Sequence, residues 1–242
     1  MDIYSNLRKE FRQLIDGLVL MDDEQITVVS ARTLSAKEAI GNPDRDDFPL
    51  LKGKEFMVEA SFRGAKGQAF TDMPGNYKGS LNQILSFELS DNFRRAIFVA
   101  SLNAVTRYMG ITRQTVHCRD TEPAMCAARL VEYIKASHEN PKVALIGYQP
   151  AMAEKLSKAL PLRILDLDED NKGKEKFGIT VDSPDKTAEV LSWCSVILAT
   201  GSTAVNGTIG QFLDGKPVIF YGVTAAAITA LFGWERYCPF GH

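Results

Sequence analysis

Short, continuous apolar runs separated by helical stretches fill the chain from Pro141 onward, and they restrict its fold more than any other feature. Val143-Ala144-Leu145-Ile146-Gly147, Leu162–Leu167, Val196–Thr200 and Pro217–Tyr221 each have strand length without polar alternation. Between them, Ala151–Leu160, Ser183–Leu191, Ile209–Leu213 and Ala225–Phe232 have helical character. A strand that is apolar on both sides must be covered on both, and strands that alternate with helices join as parallel neighbours. The expected fold class is therefore α/β, with a C-terminal Rossmann-like parallel sheet and helices on both of its faces.

The first half has a different grammar. Ile3, Leu7, Phe11, Leu14, Ile15 and Leu18 recur at helical spacing over Asp2–Leu20. Ile26–Ser30 reads as a strand because β-branched residues crowd a short run, and Glu55–Phe62 alternates as a half-buried strand should. Asn42–Asp47 is a polar connector, and Gly64, Gly67, Pro74, Gly75 and Gly79 punctuate a loop-rich segment. Leu81–Leu89 and Asn92–Met109 read as helices, the second apolar enough to be mostly buried. Glu122–Ser137 reads as a helix that packs onto the second half. The boundary is placed near Ile111–Thr121, giving domains of residues 1–115 and 116–242; Tyr237–His242 carries no assignment.

The chain has 242 residues, 45% of them hydrophobic, which is enough for a sizeable core without disulfide or metal staples. A net charge of −2 offers no basic footprint for nucleic acid. The N-terminus lacks the basic start and apolar centre of a secretory signal, and the longest mainly apolar run, Val223–Trp234, is too short to span a bilayer. The expectation is a cytoplasmic protein with no membrane partner. In that compartment Cys118, Cys126, Cys194 and Cys238 are thiols, and without a CxxC pair they form neither a zinc ribbon nor a thioredoxin-type motif.

The clearest chemical constellation is Thr200-Gly201-Ser202-Thr203-Ala204-Val205-Asn206-Gly207-Thr208, which follows a buried strand and opens a short helix. Hydroxyls, a side-chain amide and backbone N–H groups meeting at a helix N-terminus favour an anionic ligand, and in open α/β sheets ligands sit beyond the strand ends. Capping of the helix by Thr203 or Asn206 is the structural alternative. Gly147-Tyr148-Gln149-Pro150 occupies the equivalent turn after the first strand. With one glycine followed by Tyr and Pro it departs from the GxGxxG of dinucleotide binders. Asp166 and Asp168 end the next strand, where an acid can meet a polar ligand group.

His117 and Cys118 adjoin and are candidate metal ligands, with Cys126 eight residues beyond Cys118 in no standard zinc spacing. Core cysteine is the competing reading. Cys238 and His242 are weaker metal candidates, and His138 reads as an exposed residue. No nucleophile elbow, Ser-His-Asp order or Walker loop is present, so these residues name a site and no reaction.

Several of these blocks resemble, in order, a family of prokaryotic proteins described as heavy-metal chelation proteins. They are Ala100-Ser101-Leu102-Asn103-Ala104, Val143–Tyr148, Ile164–Asp168, the Thr200–Ile209 run and Pro217–Thr224. Gly222-Val223-Thr224 departs from the family in having no proline after the glycine. The resemblance implies that the first domain is a smaller α+β domain of enolase N-terminal-like fold. It also implies an active site in the cleft between the domains, with Asn103 facing Thr200–Thr208.

Three functions follow as alternatives. The first is a protein that handles a metal or metal chelate, binding a small anionic ligand in the interdomain cleft, with a transition or heavy metal ion as the implied cofactor. The second is a nucleotide- or S-adenosylmethionine-utilising enzyme. The third is a non-catalytic sensor closed by a small metabolite. A homodimer would cover the apolar Leu231-Phe232-Gly233-Trp234.

Overall fold

The computed structural model describes residues 2–19, 28–213 and 215–242. Helix α1 (Ile3–Val19) buries the Ile3, Leu7, Phe11, Ile15 and Leu18 face and leads to strand β1 (Val28–Leu34). The first part of the strand expected at Ile26–Ser30 lies outside the described residues, and β1 continues four residues past it. Helix α2 (Ala36–Ile40) starts in a capping box of Ser35 and Glu38. Strands β2 (Phe56–Phe62), β3 (Ala65–Thr71) and β4 (Tyr77–Ser80) follow. They complete an antiparallel sheet of order β3-β2-β1-β4.

Helix α3 (Leu81–Leu85) is a single short turn, shorter than the expected Leu81–Leu89, and α4 (Asn92–Tyr108) begins where the Asp91 carboxylate caps the Arg94 N–H at 2.7 Å. Every residue of α4 from Ala96 to Thr106 is buried. Its all-round apolar surface is explained by position, because α4 has the small sheet on one side and the second half of the chain on the other.

Helix α5 (Glu122–Ser137) leads into the second sheet. Its parallel core is β5 (Val143–Ile146), β6 (Leu162–Leu165), β9 (Val196–Thr200) and β10 (Val218–Tyr221). Helices α6 (Pro150–Ser157), α7 (Thr187–Trp193) and α8 (Ala226–Phe232) alternate with these strands. Three short strands were not expected: β7 (Glu175–Lys176), β8 (Ile179–Asp182) and β11 (Glu235–Tyr237). The order is β11-β10-β9-β5-β6-β8-β7, parallel throughout except for the β7–β8 pair.

Alternate residues of each central strand enter different cores. Val143, Leu145 and Leu198 pack with α5 and α6 on one face. Ala144, Ile146, Ile197 and Ala199 pack with α4, Val190 of α7 and α8 on the other. The chain is thus mixed α/β, a mostly parallel seven-stranded sheet flanked by helices with a separate smaller antiparallel sheet. Phe232 and Trp234 are half-buried, and Trp234 stacks on Phe220 at 5.5 Å between ring centroids. The apolar surface expected to need a second copy is largely packed within the chain. No described helix is long and apolar enough to cross a membrane.

Candidate functional site

A cavity of about 490 Å³ opens between the two sheets at the C-terminal ends of β5, β6, β9 and β10. It gathers most of the residues singled out from the sequence. Gly147, Tyr148, Asp166, Asp168, Thr200, Ser202, Thr203, Asn206 and Thr208 line it, and so do His117 and Cys118. Gly201, Gly207 and Asn103 do not.

The Thr200–Thr208 segment is built differently from the helix N-terminus expected of it. Gly201–Ala204 forms one 3₁₀ turn, too short for a macrodipole, and the Thr200 hydroxyl already accepts the Ser202 N–H at 3.3 Å. Val205 and Asn206 both donate their N–H groups to the Ser202 carbonyl, and Thr208 donates to that of Thr203 at 2.9 Å. The backbone donors that would hold an anion are therefore largely spent on the loop itself. The side chains of Asn206 and Thr208 make no protein hydrogen bond among the described residues and remain available. The first half of the chain fixes this loop: Tyr4 donates to the Ala204 carbonyl at 2.7 Å and Arg95 to that of Val205 at 2.5 Å.

The turn after β5 is closed in the same way. Gly147 has φ +88, and a Cβ there would stand 2.7 Å from Thr200 Cγ2, so glycine is required by both backbone and neighbour. Its N–H goes to Leu165, the Tyr148 N–H goes to the Asp166 carboxylate at 2.5 Å, and Gln149 caps the Met152 N–H. Pro150 has no N–H to offer. This turn leaves little for a phosphate. Asp166 also accepts the Asp168 N–H at 2.7 Å and the Asn171 amide at 3.3 Å, so it braces two loops. Asp168 accepts the Asp170 N–H at 2.9 Å.

Asn103 is fully buried and its amide is fully used. It donates to the carbonyls of Gln68 at 2.9 Å and Val223 at 3.1 Å, and accepts the Ala227 N–H at 2.8 Å. The cleft-facing role expected for it is corrected on that ground: a buried amide with these partners bolts α4 to β3 and α8 and has nothing left for a ligand.

Glu55 was not anticipated. It lies just before β2, lines the cavity, and makes no hydrogen bond or ion pair among the described residues. Burial first, then the neighbouring Asp166, Asp72 and Asp168, push its carboxyl up to about 7. Lys54, which also lines the cavity, is paired with Asp170. The alternation of β2 flagged a strand but gave no sign that the acid preceding it would face other acids from β3 and β6.

His117 is held through its backbone N–H by Gln68 Oε1 at 2.7 Å, with its ring edge-to-face against Phe70 at 5.3 Å. Its Nδ1 is sealed from solvent without a partner, and burial lowers the imidazole to about 4, so it stays neutral. His138 is half-buried, and its Nε2 is likewise sealed and unpartnered, which corrects its reading as an exposed residue. It does not line the cavity.

Residues 130–235 match the family DUF364. That family carries the description "Putative heavy-metal chelation". A DUF364 protein of unknown function from Pyrococcus horikoshii has a similar structure, with a TM-score of 0.56 at 15% identity over 92% of this chain and 80% of that one. A second, from Desulfitobacterium hafniense DCB-2, gives 0.48 at 15% identity over 73% of this chain and 72% of that one. No curated protein matches. The resemblance carried by Val143–Tyr148 and Thr200–Ile209 is thus shown, and the Pyrococcus protein shares the fold. The DUF364 match contains the cavity-wall residues from Ile146 to Thr224. Glu55, Asp72, His117, Cys118, Cys126 and Cys238 all lie outside it.

Proposed function

We propose that the protein binds a metal chelate in the cavity between its two sheets, the metal arriving as cargo with donors of its own. The observation that carries this reading is Glu55, a half-buried carboxyl with no hydrogen-bond or ion-pair partner among the described residues and three further acids around it. Such a group favours a ligand that brings positive charge, because like charges crowd it and burial penalises its ionised form. A bare anion would meet Glu55, Asp72 and Asp168, so the expected anionic ligand fits only once a cation has neutralised it. Among the described residues no three ligating side chains stand close enough to enclose an ion, which favours a chelate over a naked cation.

In this reading Asn206 and Thr208 hydrogen-bond the organic part. Thr200, Ser202 and Thr203 shape the wall beside it, with Gly147 and Tyr148 at the neighbouring turn. Glu55 and Asp168 face the positive charge, and His117 and Cys118 are the softer donors at hand. Asp166 orders the loops that carry these groups. The cavity lies between the two proposed domains, residues 1–115 and 116–242.

The same acids favour S-adenosylmethionine, a sulfonium and ammonium cation, as a second reading. A nucleotide is disfavoured by the spent donors at α6.

Thermal shift on the reduced protein tests both, with metals, chelators, metal–chelator pairs and S-adenosylmethionine added. A ligand present at about 100 times its Kd stabilises by about 2.7 kcal/mol, worth roughly 5–10 °C in Tm for a chain of this size. The expected result is a rise with a metal–chelator pair that Asn206→Ala abolishes without lowering the Tm of the free protein. A rise with S-adenosylmethionine alone transfers the site to the second reading.

A further inference from the structure

Between α2 and β2 the chain runs from Asn42 to Glu55 without a helix or strand. Irregular connections of this length are uncommon in compact proteins and are mostly functional. This one is a single layer between the cavity and solvent. Phe48, Leu50 and Glu55 line the cavity, whereas Leu51, Lys52 and Gly53, their neighbours in the chain, are exposed. Its backbone is bonded almost entirely to itself. The Asn42 N–H goes to Asp120 Oδ1 at 2.8 Å, which fastens the first end. Beyond it, Leu51 donates to the Phe48 carbonyl at 3.0 Å and Lys54 to that of Pro49 at 3.1 Å. Among the described residues no backbone hydrogen bond joins residues 43–54 to the rest of the chain.

Side chains hold the segment down instead. Phe48 and Leu50 are buried in the same apolar cluster as Met152 of α6. Arg45 pairs with Glu154 of α6, Lys54 pairs with Asp170, and the Arg45 guanidinium lies 5.6 Å over the Phe177 ring. Both halves of the Arg45 contact are neutralised in advance. On the segment, Asp47 accepts Nε and Nη2 of Arg45 at 2.9 and 2.7 Å, which leaves Nη1 for Glu154. On α6, Lys158 Nζ holds the other Glu154 oxygen at 2.7 Å. Parting the two sides strands neither charge, so the contact escapes the large penalty of a buried ion stripped of its partner.

We propose that residues 42–54 are a lid that opens and shuts over the cavity while the two sheets stay fixed, with Arg45–Glu154 and Lys54–Asp170 as its salt-sensitive latch. Shut, the lid supplies Phe48 and Leu50 as one wall and sets Glu55, at its end, into the cavity. Open, it removes that wall and gives a ligand its way in. The ion pairs are the adjustable part, because salt screens exposed charges and leaves apolar packing in place. The inference rests on the reading of the cavity as the ligand site and adds how a ligand enters and is retained there.

The test reads the rate at which iodoacetamide alkylates each cysteine of the reduced, ligand-free protein at fixed pH, followed by mass mapping. Cys118 and Cys126 line the cavity and are buried, so they react when the lid opens or the chain unfolds. Cys194, buried at the end of α7 and away from the cavity, reacts only on unfolding and is the internal reference. Raising NaCl from about 0.01 M to about 1 M shortens the reach of charge interactions from about 30 Å to about 3 Å. The expected result is that Cys118 and Cys126 then react about 5-fold faster relative to Cys194. Arg45→Gln should give the same acceleration at low salt and remove most of the response to salt. A merely structural role for Arg45 would speed all three cysteines together, and that outcome overturns the proposal. So would equal rates at the three cysteines of the unaltered protein, or a ratio that salt leaves unchanged. The salt series needs no variant, so a misfolded Arg45→Gln does not spoil the test. With no ligand present, these rates are separate from the thermal-shift result. A lid that fails here leaves chelate binding standing, and chelate binding that fails there leaves the lid.

Discussion

Glu55 and His117 are ionisable groups held by the fold in their less charged forms, and they bend stability in opposite directions. The folded value of Glu55, about 7, exceeds that of an unfolded glutamate. The unfolded chain therefore releases the proton more readily, and stability is lost as pH rises from the unfolded value through about 7. His117 is depressed to about 4, so its cost appears as pH falls below the ordinary histidine value. Glu55→Gln removes the first effect and leaves the second in place. We expect the variant to be more stable than the parent by about 2 kcal/mol at pH 8, with well under half of that gain left at pH 5. Urea unfolding of both proteins at the two pH values measures it. The same stability change at both pH values would mean that the Glu55 carboxyl titrates alike in the folded and unfolded chain and that the charge argument for the ligand is wrong. Glu55 illustrates what stayed hidden at this scale. Its position next to an alternating strand was legible, whereas its meeting with Asp72, Asp166 and Asp168 depends on loops from two sheets.

Among the elements, β3 was the one most misjudged, and Gly67 explains why. Glycines at 64, 67, 75 and 79 suggested loops, yet Ala65–Thr71 pairs with β2 along its whole length. Glycine in a strand often marks a backbone approaching closely, and a Cβ on Gly67 would stand 2.2 Å from the Ala104 nitrogen and 2.4 Å from the Ala100 carbonyl of α4. The residue that looked like a breaker is the seat on which the buried helix rests. Gly67→Ala must push β3 and α4 apart, and we expect a loss of about 3 kcal/mol or more. Gly17→Ala, where a Cβ would meet nothing within 4 Å, should instead raise stability by up to about 1 kcal/mol through helix propensity. Thermal unfolding of the pair separates the two meanings of glycine, and a mild Gly67→Ala would refute the contact argument. The strands of the second sheet were legible for the contrary reason. Val143–Ile146 and Val196–Thr200 sit between helices on both faces, so burial wrote itself into every residue. Strands β7, β8 and β11 sit at the sheet edges with two to four residues each, too few to show a period.

For the whole molecule, the question is whether the proposed boundary at residues 115 and 116 separates two cores or only two sheets. A domain normally carries its own core. Here a single apolar cluster contains Ile97, Phe98 and Leu102 of α4 together with Ala144, Ile146, Phe220 and Ile228 of the second half. Polar ties follow the same path, through Asn103 to Ala227, Arg95 to Val205 and the Phe70 N–H to Thr224 Oγ1 at 3.0 Å. Helix α4 serves as the cover for one face of the parallel sheet, so residues 116–242 alone would expose Ala144, Ile146, Ala199 and Phe220 to water. We expect the separately made fragments 1–115 and 116–242 to lack a cooperative melt and to bind a hydrophobic dye, while an equimolar mixture regains both cooperativity and the cavity. Two fragments that each melt cooperatively would mean that the halves are independent and merely abut. The cavity walls could then move relative to each other, and closure on a ligand would replace a preformed pocket as the mode of binding.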